Sequence, residues 1–457
     1  MKRVMSIVGL VLLMVVSVSS QAFAADTAAN PTKEWTFAVF LNADNNLDPF
    51  GVEDQNEMAK VGSNDWLNVV TLIDRERGPA TYNYIEKGKV KKLQDLGEVD
   101  MGDWKFLVNF GKWVKTNYPA NHYALIIWNH GSGWKKKGQS ITRGISYDDS
   151  SNNHITTAQL GQALGEIKTV FGKNIDILDF DACLMQMAEV AFVCRGKVDY
   201  IVGSEETEPG KGTPYDDVLK TLTKTTTVEE FGTAWVKAFV ASYKNGSQGY
   251  EACTQSLLKV SELDGVLDAM NGFAKAAMAG KFANEFSQAL AQVQKFAEPE
   301  NVDLIHLMNL LKGYVKDESL VTAMNKVLEA CKKALPANAN NDETMKDALG
   351  LAVYLPADSY AFDANYNVLE FCKAGMWDEM IQDFFKKKVV AKLVASVESG
   401  DVSGLRAFVS SVNPAEQELI KFVISEMNFR LHSEAGLPAS VTAEASNLVK
   451  ELSAKLK

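Results

Sequence analysis

The chain has 457 residues, sets 47 Lys and Arg against 58 Asp and Glu for a net charge of −11, and is 46% hydrophobic. That acidic balance argues against a nucleic-acid partner and is compatible with cationic ones. Its five cysteines, Cys183, Cys194, Cys253, Cys331 and Cys372, are too sparse for a disulfide scaffold, and none forms the C-x-x-C pair of a zinc or thioredoxin-like site.

At the start, Lys2 and Arg3 precede an apolar run over 4–18 and the small-residue ending Ala22-Phe23-Ala24. This is the pattern of a secretory signal, 1–24, removed after Ala24. The run is shorter than the roughly 20 residues that cross a bilayer, and no later run approaches that length. The processed protein is therefore expected to be secreted or periplasmic, with no membrane span. About 430 residues remain, more than one domain usually holds. In an exported chain an odd number of cysteines leaves at least one free or paired between molecules.

Residues 34–42 (EWTFAVFLN) read as a buried strand ending at the polar cluster Ala43-Asp44-Asn45-Asn46, with a helix following to about Lys60. A second strand covers 66–74, and the alternation over 81–96 around Gly88 predicts a hairpin at a sheet edge. Helical spacing over 103–117 puts Trp104, Leu107, Val108 and Trp113 on apolar positions. Strands at 123–128, 175–180 and 200–203 alternate with helices at 157–169 and 184–195. The fold class is α/β, with a mostly parallel central sheet flanked by helices. From about Thr221 long helical stretches take over, with 336–342 a loop or hinge. The expected organisation is a catalytic core over 25–225, a helical region over 226–358 whose strand near 348–356 completes the fold, and a helical C-terminal region over 359–457.

Three strand ends carry polar groups: Asn129-His130-Gly131, Asp181-Ala182-Cys183 and Ser204-Glu205-Glu206. In parallel sheets ligands bind at the carboxyl ends of strands. Cys183 lies past a strand and at the start of the helix expected over 184–195, where exposed N–H groups would favour a thiolate. Of the five histidines only His130 shares that strand-to-turn context, and an imidazole suits the proton transfers of thiol catalysis. Gly131 allows its N–H to approach a developing oxyanion, with the Cys183 N–H as second donor. Asp181, two residues before Cys183, either orients His130 or floors a pocket for a cationic side chain. Proximity to a thiolate favours the pocket, since a carboxylate too close would raise the thiol pKa. Asp176 reads as a solvated sheet-end acid, and Asp179 as a further acid directed at the active edge.

The pair His130-Gly131, the run Phe180-Asp181-Ala182-Cys183-Leu184-Met185, Glu189, Ser204-Glu205-Glu206 and the segment 209–215 (PGKGTPY) together resemble the clostripain family of cysteine peptidases, which has the caspase-gingipain-legumain fold. The strand end Asn42-Ala43-Asp44-Asn45-Asn46-Leu47 and Thr156-Thr157-Ala158-Gln159-Leu160 fit the same pattern, over about 34–225 and more faintly over 350–356. The resemblance implies a caspase-like sandwich and a Cys183–His130 dyad. It also implies oxyanion donors at Gly131 and Cys183, and a pocket floored by Asp181 that selects Arg or Lys. Ser204 and Glu205 would lie along the substrate backbone. Thr213 stands before Pro214 where the family usually has an aromatic.

The implied partners are proteins or peptides with Arg or Lys at the cleaved bond, with no metal in bond cleavage. Some members respond to calcium, for which the acidic Asp148 and Asp149 are candidates without forming a clear site. Lys135, Lys136, Lys137 and Arg143 follow His130, and the resemblance implies self-cleavage in that loop, with Lys137 and Arg143 the leading candidates. A secreted binding protein on the same frame, its dyad unused, is the competing reading.

Overall fold

The computed structural model describes residues 30–134, 144–433 and 437–456. Its centre is a nine-stranded sheet whose first five strands are β1 (Lys33–Ala43), β2 (Leu67–Arg75), β3 (Ala80–Glu86), β4 (Lys89–Gly97) and β5 (Ala120–Trp128). It is completed by β6 (Ile175–Asp181), β7 (Val198–Gly203), β8 (Thr254–Lys259) and β9 (Ala337–Asn340), in the spatial order β9-β8-β7-β6-β5-β1-β2-β3-β4. The five central strands β2, β1, β5, β6 and β7 run parallel, while β3 and β4 on one side and β8 and β9 on the other are antiparallel. The hairpin over 81–96 is thus the edge pair β3–β4, as its alternation predicts.

The parallel strands are apolar on both sides because helices cover both faces. On β1, Trp35, Phe37, Val39 and Leu41 enter one core, and Ala38 and Phe40 the other. The first of these faces carries α1 (Asp48–Val61), and further along the chain α5 (Tyr215–Thr221) and α6 (Val228–Ser242). The opposite face carries α2 (Trp104–Asn117), α3 (Thr157–Phe171) and α4 (Ala188–Cys194). Local signals fix these starts. Asp103 caps α2 by accepting from the Lys105 N–H, and Thr156 with Gln159 forms a reciprocal capping box at α3. The fold class read from the sequence is the fold observed, a mostly parallel sheet between two helical layers.

Two features differ from expectation. Residues 226–358 contribute β8 and β9 to the main sheet, whereas the strand near 348–356, observed at Ala352–Tyr354, pairs instead with Asn301–Asp303. The hydrophobic cores also divide the chain later than position 358. The main core runs on to Phe385, and a separate core begins at Val390 and ends at Leu452. One helix, α7 (Trp377–Glu398), serves both: Phe384 and Phe385 face the sandwich, Leu393 and Val397 the bundle. The bundle's other helices are Ser403–Ser411, Gln417–Ser433 and Ala439–Ser453.

Candidate active site

Trp128 on β5 pairs with Asp181 on β6, and the Asn129 N–H donates to the Asp181 carbonyl at 3.2 Å. Two residues beyond that pair, at the carboxyl edge of the sheet, stand His130 on one strand end and Cys183 on the other. Gly131 lies so close that a side chain there would strike the Cys183 carbonyl oxygen, with the Ala182 methyl 3.0 Å away. Close approach alone therefore requires glycine. The base of this turn is fixed by the Asn129 side chain, which donates to the Asn42 carbonyl at 2.7 Å and accepts from the Tyr147 N–H at 2.7 Å. His130 Nε2 stands 2.7 Å from Asn46 Oδ1, a contact between residues 84 positions apart. The sequence presents Asn46 as part of a strand-end motif with no assigned role; the order of the strands makes it the partner of the histidine.

Cys183 is not at a helix start. Leu184 adopts φ +63, in the left-handed region, and the helix expected over 184–195 begins only at Ala188. The intervening residues are held by the Leu184 N–H to the Glu206 carbonyl and the Gln186 N–H to the Ser204 carbonyl, and the Ala352 N–H closes on the Gln186 carbonyl. Tertiary pairing thus overrides helix propensity. The thiol, half-buried, gains no help from a helix dipole. Burial pushes its pKa up, the Glu208 N–H donating to Sγ at 3.3 Å pulls it down, and the negative Glu206 and Asp181 add to the rise.

Asp181 is buried. Its carboxylate accepts from the Thr213 N–H at 3.1 Å and the Tyr215 hydroxyl at 2.7 Å. Gly212 closes over it at φ +59, where a Cβ would sit 2.6 Å from Asp181 Oδ1. Thr213, the departure from the family pattern, therefore serves the pocket through its backbone. Beside Asp181 lies the carboxyl of Glu208, which sequence reasoning missed because it sits in an irregular loop 25 residues beyond Cys183. Glu208 is held by Gln255 Nε2 at 3.4 Å and is hydrogen-bonded to Asp181. Asp179 lies one step deeper on the same strand face, as expected. Burial, reinforced by the repulsion of Asp181, pushes the carboxyls of Asp54, Asp179 and Glu208 well above the ordinary range, and burial raises Asp181 too. Among the described residues no ion pair reaches Asp179, Asp181 or Glu208.

Other expected site residues are placed differently. The Ser204 side chain is buried and meets the Thr254 hydroxyl at 2.8 Å. Glu205, 1% exposed, accepts from the Gly350 N–H at 2.9 Å and shares a hydrogen bond with the carboxyl of Asp303. Both side chains tie the end of β7 to neighbouring segments. Asp176 is buried, not solvated, and receives the Tyr123 N–H at 2.8 Å and Lys173 Nζ at 2.7 Å. Asp148 is taken up by the Met101 and Ser151 N–H groups. Among the described residues no three His, Cys, Asp or Glu side chains converge around Asp148 and Asp149. Lys135, Lys136, Lys137 and Arg143, like the signal segment, lie outside the described residues. No helix among the described residues is long and apolar enough to cross a membrane.

Clostripain of Hathewaya histolytica is 31% identical over 225 residues, 42% of this chain and 42% of that protein. The chain thus matches about two fifths of the length of this curated relative. A secreted C11 cysteine protease of Bacteroides thetaiotaomicron, solved with an irreversible peptide inhibitor, superposes with a TM-score of 0.61 at 20% identity, covering 76% of this chain and all of that one. An inactive zymogen C11 protease of Parabacteroides distasonis gives 0.58 at 20% identity over 75% of this chain and 99% of that one. These likenesses show a shared fold. The sequence pattern of Peptidase C11 matches residues 39–384, most of the chain and all of the strand ends described above, so the chain belongs to the clostripain family.

Proposed function

We propose that the chain is a cysteine endopeptidase that cleaves protein or peptide substrates after Arg or Lys, with Cys183 as nucleophile and His130 as its acid/base partner. The observation that carries this reading is a pair of carboxyls, Asp181 and Glu208, next to Cys183 and with no cation beside them among the described residues. Isolated charge in such a place is costly, and a basic substrate side chain would supply the missing counter-charge.

The chemistry follows from the contacts. The Asn46 Oδ1 contact holds the His130 proton on Nε2 and leaves proton exchange with the thiol to Nδ1. A thiol raised by burial is not a standing anion, so His130 takes its proton as Sγ attacks the carbonyl carbon after the basic residue. The carbonyl oxygen becomes the oxyanion, stabilised by the Gly131 and Cys183 N–H groups. Collapse breaks the C–N bond, His130 gives its proton to the leaving amine, and water then hydrolyses the thioester. The 1–24 segment supports export to the periplasm or beyond, and Lys137 or Arg143 is where the precursor would cut itself.

The test is turnover of fluorogenic Arg, Lys and Ala peptides by the wild type, Cys183→Ala and Asp181→Asn. Cys183→Ala should abolish turnover, a loss of about a thousandfold or more, and Asp181→Asn should lower Arg and Lys turnover about thirtyfold while leaving Ala unchanged. A wild type that cuts nothing even after limited trypsin treatment would instead favour a binding protein on this frame.

A further inference from the structure

Asp179 is 0% exposed, and neither of its carboxylate oxygens has a hydrogen-bond partner. Its neighbours in register are Ile126 on β5 and Val202 on β7, both apolar. A β-branched apolar residue would fit there without cost, so stability does not account for the carboxyl. Strand alternation directs it to the same face as Asp181, about 6.6 Å deeper along β6. Asp54 on α1, held by Trp128 Nε1 at 2.7 Å, adds a further acid whose charge acts on Asp181. The upper tier is already engaged: Asp181 holds the Thr213 N–H and the Tyr215 hydroxyl, and Glu208 turns to Asp181 and Gln255. At the lower tier both oxygens of Asp179 are without a hydrogen-bond partner.

We propose that Asp179 is a specificity-determining residue, the second and deeper acceptor of the pocket, which sets a preference for a guanidinium over an ammonium group. This rests on the reading that the Asp181 pocket receives the basic side chain of the substrate. An ammonium is a compact point charge that Asp181 and Glu208 satisfy at one level. A guanidinium spreads five N–H donors over a rigid plane and can engage two carboxylates at once. Its inner edge would meet the two open oxygens of Asp179 while its outer edge meets Asp181.

The experiment compares Arg, Lys and Ala reporters, with kcat and KM separated, for the wild type, Asp179→Asn, Asp179→Val and Asp181→Asn, alongside the Tm of each without substrate. Removing an unpartnered buried acid should leave Tm equal or higher in both Asp179 variants. It should also raise KM for Arg about tenfold or more with Lys little changed, so that the Arg-to-Lys ratio of kcat/KM falls by the same factor. An unchanged ratio in both variants overturns the assignment, as does a lowered Tm with Arg and Lys turnover falling together, which would mark Asp179 as structural. If Asp181→Asn leaves basic preference intact, the pocket reading itself fails and takes this inference with it.

Discussion

The sandwich and the C-terminal bundle bury different things. From Val390 to Leu452 every fully buried side chain among the described residues is apolar. At the carboxyl ends of the central strands, by contrast, Asp179, Asp181 and Glu205 are buried and Glu208 is half-buried, and Glu189 is buried in the first turn of α4. Apolar packing is what stability asks for, and buried carboxyls work against it unless they are paired. The difference teaches where function resides. The bundle buries only what its own folding asks for, whereas the sandwich keeps costly acids at the strand ends proposed as the substrate site.

The largest test of this contrast lies in the bundle. Leu405 is fully buried there, and Leu405→Ala should cost about 2–5 kcal/mol of bundle stability in chemical denaturation while reporter turnover stays at the wild-type level. Turnover that fell with the bundle would join the two regions through α7.

Next comes Glu189, whose carboxyl accepts from the Tyr354 N–H at 2.9 Å and the Tyr366 hydroxyl at 2.7 Å. Burial pushes its pKa to about 7. A raised carboxyl binds its proton more tightly in the folded state. Its stabilisation is therefore complete below the ordinary carboxylate range and is lost as the pH climbs to about 7, a change on the order of 3 kcal/mol. Glu189→Gln keeps an acceptor for both donors without the titration, so its Tm should lose the fall that the wild type shows over that window. Parallel Tm curves for the two proteins would mean that Glu189 does not titrate there.

The smallest effect concerns Asn46. Removing its contact to His130 in Asn46→Ala should lower kcat about tenfold with KM unchanged. Asn46→Asp should move the acid limb of the activity profile to higher pH, because a carboxylate favours the imidazolium. A pH profile that does not move would leave Asn46 as a packing residue only.

Much of this was legible in local sequence. The apolar runs of β1, β5 and β6 announce strands covered on both faces, and His130-Gly131 and Asp181-x-Cys183 fall where such strands end. The helix expected from Leu184 was not legible as an error, since its apolar spacing is sound; the left-handed turn at Leu184 is imposed by bonds to Glu206 and Ser204, residues of another strand end. The same holds for Glu205, whose resemblance implied a place along the substrate backbone and whose carboxyl is engaged by Gly350 and Asp303.

By itself the sequence determined the fold class, the family and the two residues proposed for the chemistry, because strand periodicity and short motifs are properties of neighbouring residues. Only the tertiary structure decided which side chains stand around them. β1 is inserted between β5 and β2, which carries Asn46 to His130, and the loop after β7 folds back to bring Glu208 onto Cys183 and Asp181. Partners that lie 25 or 84 residues away in the chain become neighbours through strand order, and no local pattern encodes that order.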